Sequence, residues 1–314
     1  MPTSPSPVIA VVGATASGKS ALAIELARRL GGEIVNADSM QLYRGMDVGT
    51  AKTPVAERAG VPHHLLDVLD VTQEASVAAY QVDSRAALAD IAARGAQPLL
   101  VGGSGLYVRA ALDALDFPDT DPEVRARWEA RGEREGPGLL HRELERLDPA
   151  AAESIGRHNT RRLVRALEVI ELTGRPYTAQ LPTYADLVPT LHLALDVPRP
   201  VLVERIARRA EAMFAGGLLE ETAALRAAGL ERGVTASRAV GYAQALAVLD
   251  GRLTTAEAVE ATTVATRQVA RRQTSWFGRD PRIVHLDGEE PLARQVGLAL
   301  GALADAAAAA ADRG

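Results

Sequence analysis

The sequence predicts an α/β protein with a parallel sheet at its core and an inserted helical domain. Short apolar strands alternate with helices over roughly the first third of the chain, a pattern typical of a parallel sheet covered on both faces. From 118 to 189 the pattern is mainly helical and heavily charged, and a strand-like alternation returns at 191–197. We therefore expect a core made of 1–117 and 190–314, with the helical domain at 118–189 inserted between its two parts.

Each element is predicted from a local signal. The first strand, at 7–12, is apolar and β-branched and ends at a glycine. The helix after it carries leucines four residues apart and stops at a Gly-Gly pair. The other predicted elements are strands at 33–37 and 98–101, a helix at 77–94, a strand at 191–197, helices to about 277 and a short strand at 282–286.

The composition limits the classes of protein that the chain can belong to. It has 314 residues, a formal net charge of −5 and no cysteine, which excludes disulfides and thiolate metal sites. The N-terminus lacks the pattern of a signal peptide and no apolar run could span a bilayer, so we expect a cytoplasmic protein with no membrane partner. Arginines nevertheless crowd three segments, at 157–175, 199–209 and 267–282, and favour a polyanionic partner.

A phosphate-binding loop follows the first strand and opens the first helix. Its sequence, GATASGKS, fits the G-x-x-x-x-G-K-[ST] pattern in the required context, so we expect a P-loop NTPase-like core. Backbone amides and the helix N-terminus would hold a phosphate, Lys19 would bridge its oxygens and Ser20 would ligate Mg²⁺. The predicted phosphate-binding residues are Gly13, Ala14, Thr15, Ala16, Ser17, Gly18, Lys19 and Ser20.

A carboxylate, Asp38, directly follows the second predicted strand. Ligands of doubly wound sheets bind at the carboxyl ends of the strands, so Asp38 should face the bound phosphate. The strand at 98–101 is followed by Gly102, Gly103 and Ser104, without the aspartate that binds Mg²⁺ in many nucleotide hydrolases. The loop therefore indicates a phosphate ligand that need not be ATP.

Motifs along nearly the whole chain resemble those of one known family. They are GATASGKS, ADSMQLYRGMDVGTAK, GVPHHLLDV, PLLVGGSGLYVRA, DPEVRAR, RRLVRALEVIELTGRP, RIARRAEAMFAGGLLEE, AVGYAQAL and RQVARRQTSWF. The phosphate-binding loop alone would not separate this family from kinases. DSMQLYRGMDVGTAK and VGGSGLY together are highly specific, and on these motifs the sequence resembles the bacterial tRNA dimethylallyltransferases, also called tRNA isopentenyltransferases.

The resemblance implies the transfer of a dimethylallyl group from dimethylallyl diphosphate to the 6-amino nitrogen of the adenosine 3′-adjacent to the anticodon in tRNA. It implies that Asp38 is the general base, that Ser104 orients the reactants, and that Arg205 and Arg209 meet the leaving diphosphate. It also implies a Mg²⁺ cofactor, and we expect a monomer whose tRNA partner is held by the anticodon stem-loop. The implied tRNA-contacting residues are Asp38, Ser39, Met40, Gln41, Arg125, Arg161, Arg162, Arg165, Arg238, Gly241 and Tyr242.

Two positions depart from the family pattern, and three alternatives stay open. Ser104 stands where threonine is usual, and Ala243 stands where a basic residue often follows Gly-Tyr. A P-loop kinase of a small metabolite would leave the arginine clusters unused, and an adenylate isopentenyltransferase would act on free AMP. A non-catalytic RNA-binding module switched by nucleotide would give no reason for Asp38. Glu220 and Glu221 are expected to form a solvated helix face.

Overall fold

The computed structural model describes residues 7–115, 117–118, 120–177 and 184–311. It divides the chain into two compact units, one of Met1–Leu112 with Asp186–Gly314 and one of Asp113–Ala185. The predicted insertion at 118–189 overlaps the second unit, and its part in tRNA binding stays a prediction. No helix in the described ranges is long and apolar enough to cross a membrane.

The first unit is built on a parallel sheet. Its strands are β1 (Val8–Val12), β2 (Gly32–Asn36), β3 (His63–His64), β4 (Gln97–Gly102), β5 (Thr190–Asp196) and β6 (Ile283–Asp287). These six strands of the described chain lie in the order β3-β2-β4-β1-β5-β6, and all neighbours run parallel. The predicted α/β class with a parallel core is therefore confirmed.

The observed strands lie within one residue of the predicted bounds at either end, except for β3. This strand pairs only Ile34 with His63 and Val35 with His64, so it is too short to give a periodic signal in the sequence.

The helices surround this sheet or form the second unit. In chain order they are α1 (Lys19–Leu30), α2 (Val77–Ala93), α3 (Gly105–Leu112), α4 (Pro122–Glu135), α5 (Pro137–Leu147), α6 (Pro149–Ile155), α7 (Thr160–Thr173), α8 (Arg199–Ala215), α9 (Leu218–Ala227), α10 (Tyr242–Leu249), α11 (Thr255–Phe277) and α12 (Leu292–Ala311). Helices α4 to α7 belong to the second unit.

The core of the first unit explains why β1 holds the phosphate loop firmly. Every residue of β1 is buried between β4 and β5. Leu22 and Leu26 of α1 pack with Ile9 of β1, Leu193 of β5 and Val296 of α12 in one apolar cluster. Burying each such side chain contributes about 2 kcal/mol, so the strand and helix on either side of the loop are both fixed.

The second unit is a helical bundle with its own core. Leu140 and Leu144 of α5 pack against Leu163 and Leu167 of α7. The carboxylate of Asp121 accepts hydrogen bonds from the first amides of α4 and so caps that helix.

In the first unit, the amide of Leu187 donates to the carbonyl oxygen of Leu112 at 2.8 Å, so the chain leaves and re-enters that unit at adjacent points.

Candidate functional site

A cavity of about 380 Å³ lies at the carboxyl ends of β1, β2 and β4. The structure thus brings the phosphate loop, Asp38 just beyond β2 and Arg209 of α8 to one place. The lining residues are Thr15, Ala16, Gly18, Lys19, Ser20, Ala21, Asp38, Gln41, Thr50, Ala51, Lys52, Thr53, Pro54, Glu57, Val101, Gly102, Gly103 and Arg209.

The phosphate loop offers backbone donors to this cavity. Gly13 and Gly18 have φ angles of 124° and 103°, which glycine adopts without steric cost. Among the loop residues that line the cavity, four have amides without an acceptor in the described part of the chain: Ala16, Gly18, Lys19 and Ser20. Unpaired amides at the start of a helix attract anions, so the loop is prepared for a ligand with phosphate oxygens.

Lys19 lies beside these amides. Its Nζ donates a hydrogen bond to the carbonyl oxygen of Ala14 at 2.7 Å, which holds the ammonium over the loop. Removal from water lowers the pKa of Lys19 to about 8; the negative charge of Asp38 acts in the opposite direction, and the positive charge of Arg209 lowers the pKa further.

The two arginines of α8 occupy different places. Arg209 lines the cavity, and its Nη2 donates to Oγ1 of Thr15 at 2.5 Å. Burial lowers the pKa of Arg209, and the charge of Asp38 opposes this shift. Arg205 instead donates at 3.5 Å to the carbonyl oxygens of Ser17 and Gly288, and it is not among the described residues that line the cavity.

Asp38 faces the cavity from the end of β2. Its Oδ1 accepts a hydrogen bond from the amide of Met40 at 2.9 Å, and the side chain of Asn36 accepts from the Asp38 amide at 2.9 Å. These contacts fix the carboxylate, and Oδ2 has no hydrogen-bond partner in the described ranges. That oxygen is free to accept a proton from a ligand.

Ser104 supports the turn that follows Asp38. Its hydroxyl oxygen accepts a hydrogen bond from the amide of Ser39 at 3.2 Å and lies 3.3 Å from Oγ of Ser39. Its predicted part in orienting the reactants stays a prediction.

Lys52 is a wall residue of the cavity that sequence reasoning missed. Its Nζ lies 2.6 Å from carboxylate oxygens of both Asp47 and Asp67 and donates to the carbonyl oxygen of Tyr43 at 3.0 Å. The side chain is only 3% exposed. Lys52 therefore fixes the segment 47–53 against the cavity. The GTAK motif contains this lysine, but the motif does not reveal the two carboxylates around it.

The expectation of a solvated face at Glu220 and Glu221 is wrong for Glu221. Its carboxylate accepts hydrogen bonds at 2.8–3.2 Å from three consecutive amides, those of Asp47, Val48 and Gly49. No local pattern around Glu221 indicates these contacts, because the partners lie more than 170 residues away along the chain.

Tyr242 completes the same arrangement. Its ring is fully buried, and its hydroxyl donates to Glu221 at 2.6 Å. The side chain of Tyr242 thus supports the 47–49 segment, and its part in tRNA contact stays a prediction.

The other predicted tRNA-contacting residues differ in exposure. Arg161, Arg162 and Arg238 are exposed, Ser39, Met40 and Gln41 are half-buried, and Gly241 is buried. Arg125 and Arg165 donate at 3.0 Å and 2.9 Å to Oε2 of Glu168, a side chain that is fully buried. These two arginines therefore neutralise a buried charge inside the helical unit.

Known sequences resemble this chain over most of its length. The IPP transferase family model matches residues 41–280. A protein of Kineococcus radiotolerans named tRNA dimethylallyltransferase is 59% identical over 295 residues, which cover 91% of this chain and 93% of that protein. A tRNA dimethylallyltransferase of Streptomyces griseus is 58% identical over 287 residues, or 91% of this chain and 92% of that protein.

Solved structures agree with these sequences. The tRNA isopentenylpyrophosphate transferase of Bacillus halodurans is 36% identical, with a TM-score of 0.70 over 96% of this chain and 98% of that chain. A eukaryotic dimethylallyltransferase acting on tRNA is 27% identical, with a TM-score of 0.78 over 90% of this chain and 74% of that chain. On the family match and on relatives this similar over nine-tenths of its length, the chain belongs to the tRNA dimethylallyltransferase family.

Proposed function

We propose that this protein transfers a dimethylallyl group from dimethylallyl diphosphate to the 6-amino nitrogen of the adenosine 3′-adjacent to the anticodon in tRNA. The observation that carries the proposal is the shared cavity in which four unpaired loop amides, Lys19 and Arg209 face the free carboxylate oxygen of Asp38. The reaction needs hydrogen-bond donors that bind a diphosphate and a group that accepts a proton, and both line the same cavity.

The loop and its cations hold the leaving group. As the bond between the allylic carbon and oxygen breaks, negative charge grows on the diphosphate. The amides of the loop, Lys19 and Arg209 are fixed before the reaction, so they stabilise that charge without reorganising. Arg205 lies outside the cavity wall, at the carbonyl oxygen of Ser17, and adds positive potential behind the loop.

Mg²⁺ fits the donor set of this cavity. Ser20 lines it with a hydroxyl, and the described residues include no cluster of three or more His, Cys, Asp or Glu side chains that could hold a metal. Mg²⁺ prefers few protein ligands together with waters and phosphate oxygens, so Ser20 and a bound diphosphate suit it. When bound, the ion would neutralise part of the charge on the diphosphate.

Asp38 takes the proton of the adenine amine. The lone pair of this nitrogen is delocalised into the ring, so the proton becomes acidic only as the new carbon–nitrogen bond forms. The nitrogen attacks the allylic carbon, the carbon–oxygen bond breaks, the electron pair leaves with pyrophosphate, and the proton passes to Oδ2 of Asp38. A carboxylate oxygen in this position can accept the proton late in the transition state.

Arginines of the helical unit bind the tRNA substrate at its anticodon stem-loop. Arg161 and Arg162 are exposed at the start of α7, where they can pair with phosphates. The target base must leave the stack of the loop, which costs a few kcal/mol and is cheaper in a single strand than in a duplex. We propose that the enzyme acts as a monomer.

The experiment is a reconstitution with unmodified tRNA, dimethylallyl diphosphate and Mg²⁺, without nucleotide. Mass spectrometry of the digested tRNA should reveal prenylated adenosine next to the anticodon, with one pyrophosphate released for each group transferred. A requirement for ATP, with ADP formed in step with product, would overturn the proposal in favour of a kinase. Free AMP as the better acceptor would indicate an adenylate isopentenyltransferase instead.

A further inference from the structure

The first part of the phosphate loop is occupied by protein groups. The amide of Thr15 donates a hydrogen bond to Oε1 of Gln273 at 2.8 Å, and Oγ1 of Thr15 accepts one from Arg209 at 2.5 Å. Gln273 lies on α11, 258 residues further along the chain. Both polar groups of Thr15 next to the cavity are therefore already paired.

The orientation of the Gln273 side chain follows from this contact. A backbone amide can only donate, so the atom that faces Thr15 must be the carbonyl oxygen Oε1. The NH₂ group then lies against Gly103, where an added Cβ would overlap Nε2. Glycine at 103 thus leaves the room that lets Gln273 reach the loop.

Among the described loop residues that line the cavity, the unpaired donors form a short set. They are the amides of Ala16, Gly18, Lys19 and Ser20, whereas the amide of Thr15 is already bonded to Gln273. The partial negative charge on Oε1 would also repel a phosphate oxygen placed beside Thr15. The loop therefore offers unpaired amides to phosphate oxygens at its helical end and no free amide at Thr15.

We infer that Gln273 is a specificity-determining residue. By accepting the hydrogen bond of the Thr15 amide, it restricts the phosphate loop to the diphosphate of an alkyl donor. The inference deepens the proposed function and rests on it for the identity of the donor. An alkyl chain needs no hydrogen-bond donor next to the diphosphate, whereas the terminal phosphate of a nucleoside triphosphate does. Gln273 removes that donor and so disfavours triphosphates.

The experiment compares inorganic pyrophosphate with inorganic tripolyphosphate as ligands of the full-length enzyme. Dissociation constants are measured by calorimetry at constant free Mg²⁺, and the readout is their ratio. Gln273→Ala frees the Thr15 amide, and a hydrogen bond to a charged group is worth about 1.5–3 kcal/mol. We expect the ratio to shift at least about tenfold towards tripolyphosphate. Thr274→Ala, an exposed neighbour on α11, is the matched control and should leave the ratio unchanged.

A second variant keeps the inference testable if Gln273→Ala does not fold. Gln273→Glu keeps the size and the acceptor and adds a negative charge beside Thr15, so the ratio should shift away from tripolyphosphate. A ratio within about twofold of the wild type in Gln273→Ala, or a shift towards tripolyphosphate in Gln273→Glu, would overturn the inference. Neither ligand requires prenyl transfer. An enzyme that prenylates tRNA with an unchanged ratio refutes this inference alone, and a changed ratio without prenylation refutes the proposed function alone.

Discussion

The hydroxyl of Tyr242 lies 2.6 Å from Oε1 of Glu221, and the same carboxylate binds three consecutive amides, at 47, 48 and 49. Gly49 is required for this packing, since a Cβ there would overlap the ring of Tyr242. One carboxylate thus joins α9, α10 and the segment that continues into the cavity wall at 50–54.

Removing this carboxylate should destabilise the fold. Glu221→Ala leaves three amides and the buried hydroxyl of Tyr242 without their acceptor, so we expect a loss of about 2–4 kcal/mol in the free energy of unfolding. Tyr242→Phe removes one hydrogen bond and should cost about 1 kcal/mol. Urea denaturation measures both. Glu220, the exposed neighbour of Glu221, provides the control. Glu220→Gln should change the free energy of unfolding by less than about 0.5 kcal/mol.

Asp38→Asn tests the general base. The amide keeps the size of the side chain and can still accept from the amide of Met40, but it cannot take a proton. We expect turnover to fall by at least about 10² while tRNA binding stays nearly unchanged. Single-turnover kinetics and a filter-binding assay separate the two effects. Near-normal turnover would mean that a group other than Asp38 accepts the proton.

The arginines of α7 should behave differently from one another. Arg162 is exposed, so Arg162→Ala should weaken tRNA binding and reduce the slope of log K against log salt by about 0.7–0.9 for one lost phosphate contact. The melting temperature and the affinity for dimethylallyl diphosphate should not change. An unchanged salt slope would mean that Arg162 belongs to a solvated face.

Arg165→Ala should act mainly on stability. The mutation removes one of two cations beside the buried carboxylate of Glu168, leaving Arg125 as the other. We expect a loss of about 1–3 kcal/mol, measured by urea denaturation of the intact enzyme. Restored stability in the double variant Arg165→Ala with Glu168→Gln, in which the uncompensated charge is gone, would support this explanation. Wild-type stability in the single variant would contradict it.

The lowered pKa of Lys19 predicts a pH-dependent affinity for the donor. In the free enzyme the ammonium loses its proton near pH 8, so the affinity for dimethylallyl diphosphate should be full below pH 8 and fall as the pH rises through that value. Lys19→Arg keeps its charge over this range and should lack the fall. Titrations of donor binding between about pH 6.5 and 9.5 test this. The same fall of affinity in the wild type and in Lys19→Arg would mean that a group other than Lys19 titrates.

The sign of the stability effect follows from the same shift. The pKa in the folded state lies below the ordinary value of 10.5, so the unfolded chain binds this proton more tightly. The cost to stability is fully present below pH 8 and is relieved as the pH rises towards 10.5. Lys19→Met removes the titrating group and should therefore remove this contribution to the pH dependence of unfolding.

The parts that the sequence predicted well depend on short segments. The strands of the core follow from local apolar runs, and the loop at 13–20 together with Asp38 follows from motifs next to strand ends. Their convergence on one cavity is a consequence of parallel pairing, because the carboxyl ends of parallel strands share one edge.

The parts that it did not predict depend on distant partners. Gln273 meets Thr15 across 258 residues, and Glu221 meets Asp47 across 174. Nothing in the composition around Gln273 or Glu221 indicates which backbone amides they will bind, because helical periodicity reveals only which face is apolar. The family resemblance implied tRNA contacts for Arg125 and Arg165, and only the three-dimensional structure reveals the buried Glu168 between them.

The adjacent exit and entry points of the first unit have a consequence for the history of the chain. Leu112 and Leu187 are joined by a backbone hydrogen bond, so the intervening segment leaves the sheet scaffold as a single excursion. The strands on either side, β4 and β5, flank β1, and no described residue of that segment belongs to the sheet. A gene encoding the scaffold could therefore have gained the helical unit in one insertion event, and lineages could exchange it for another without rebuilding the nucleus of the fold.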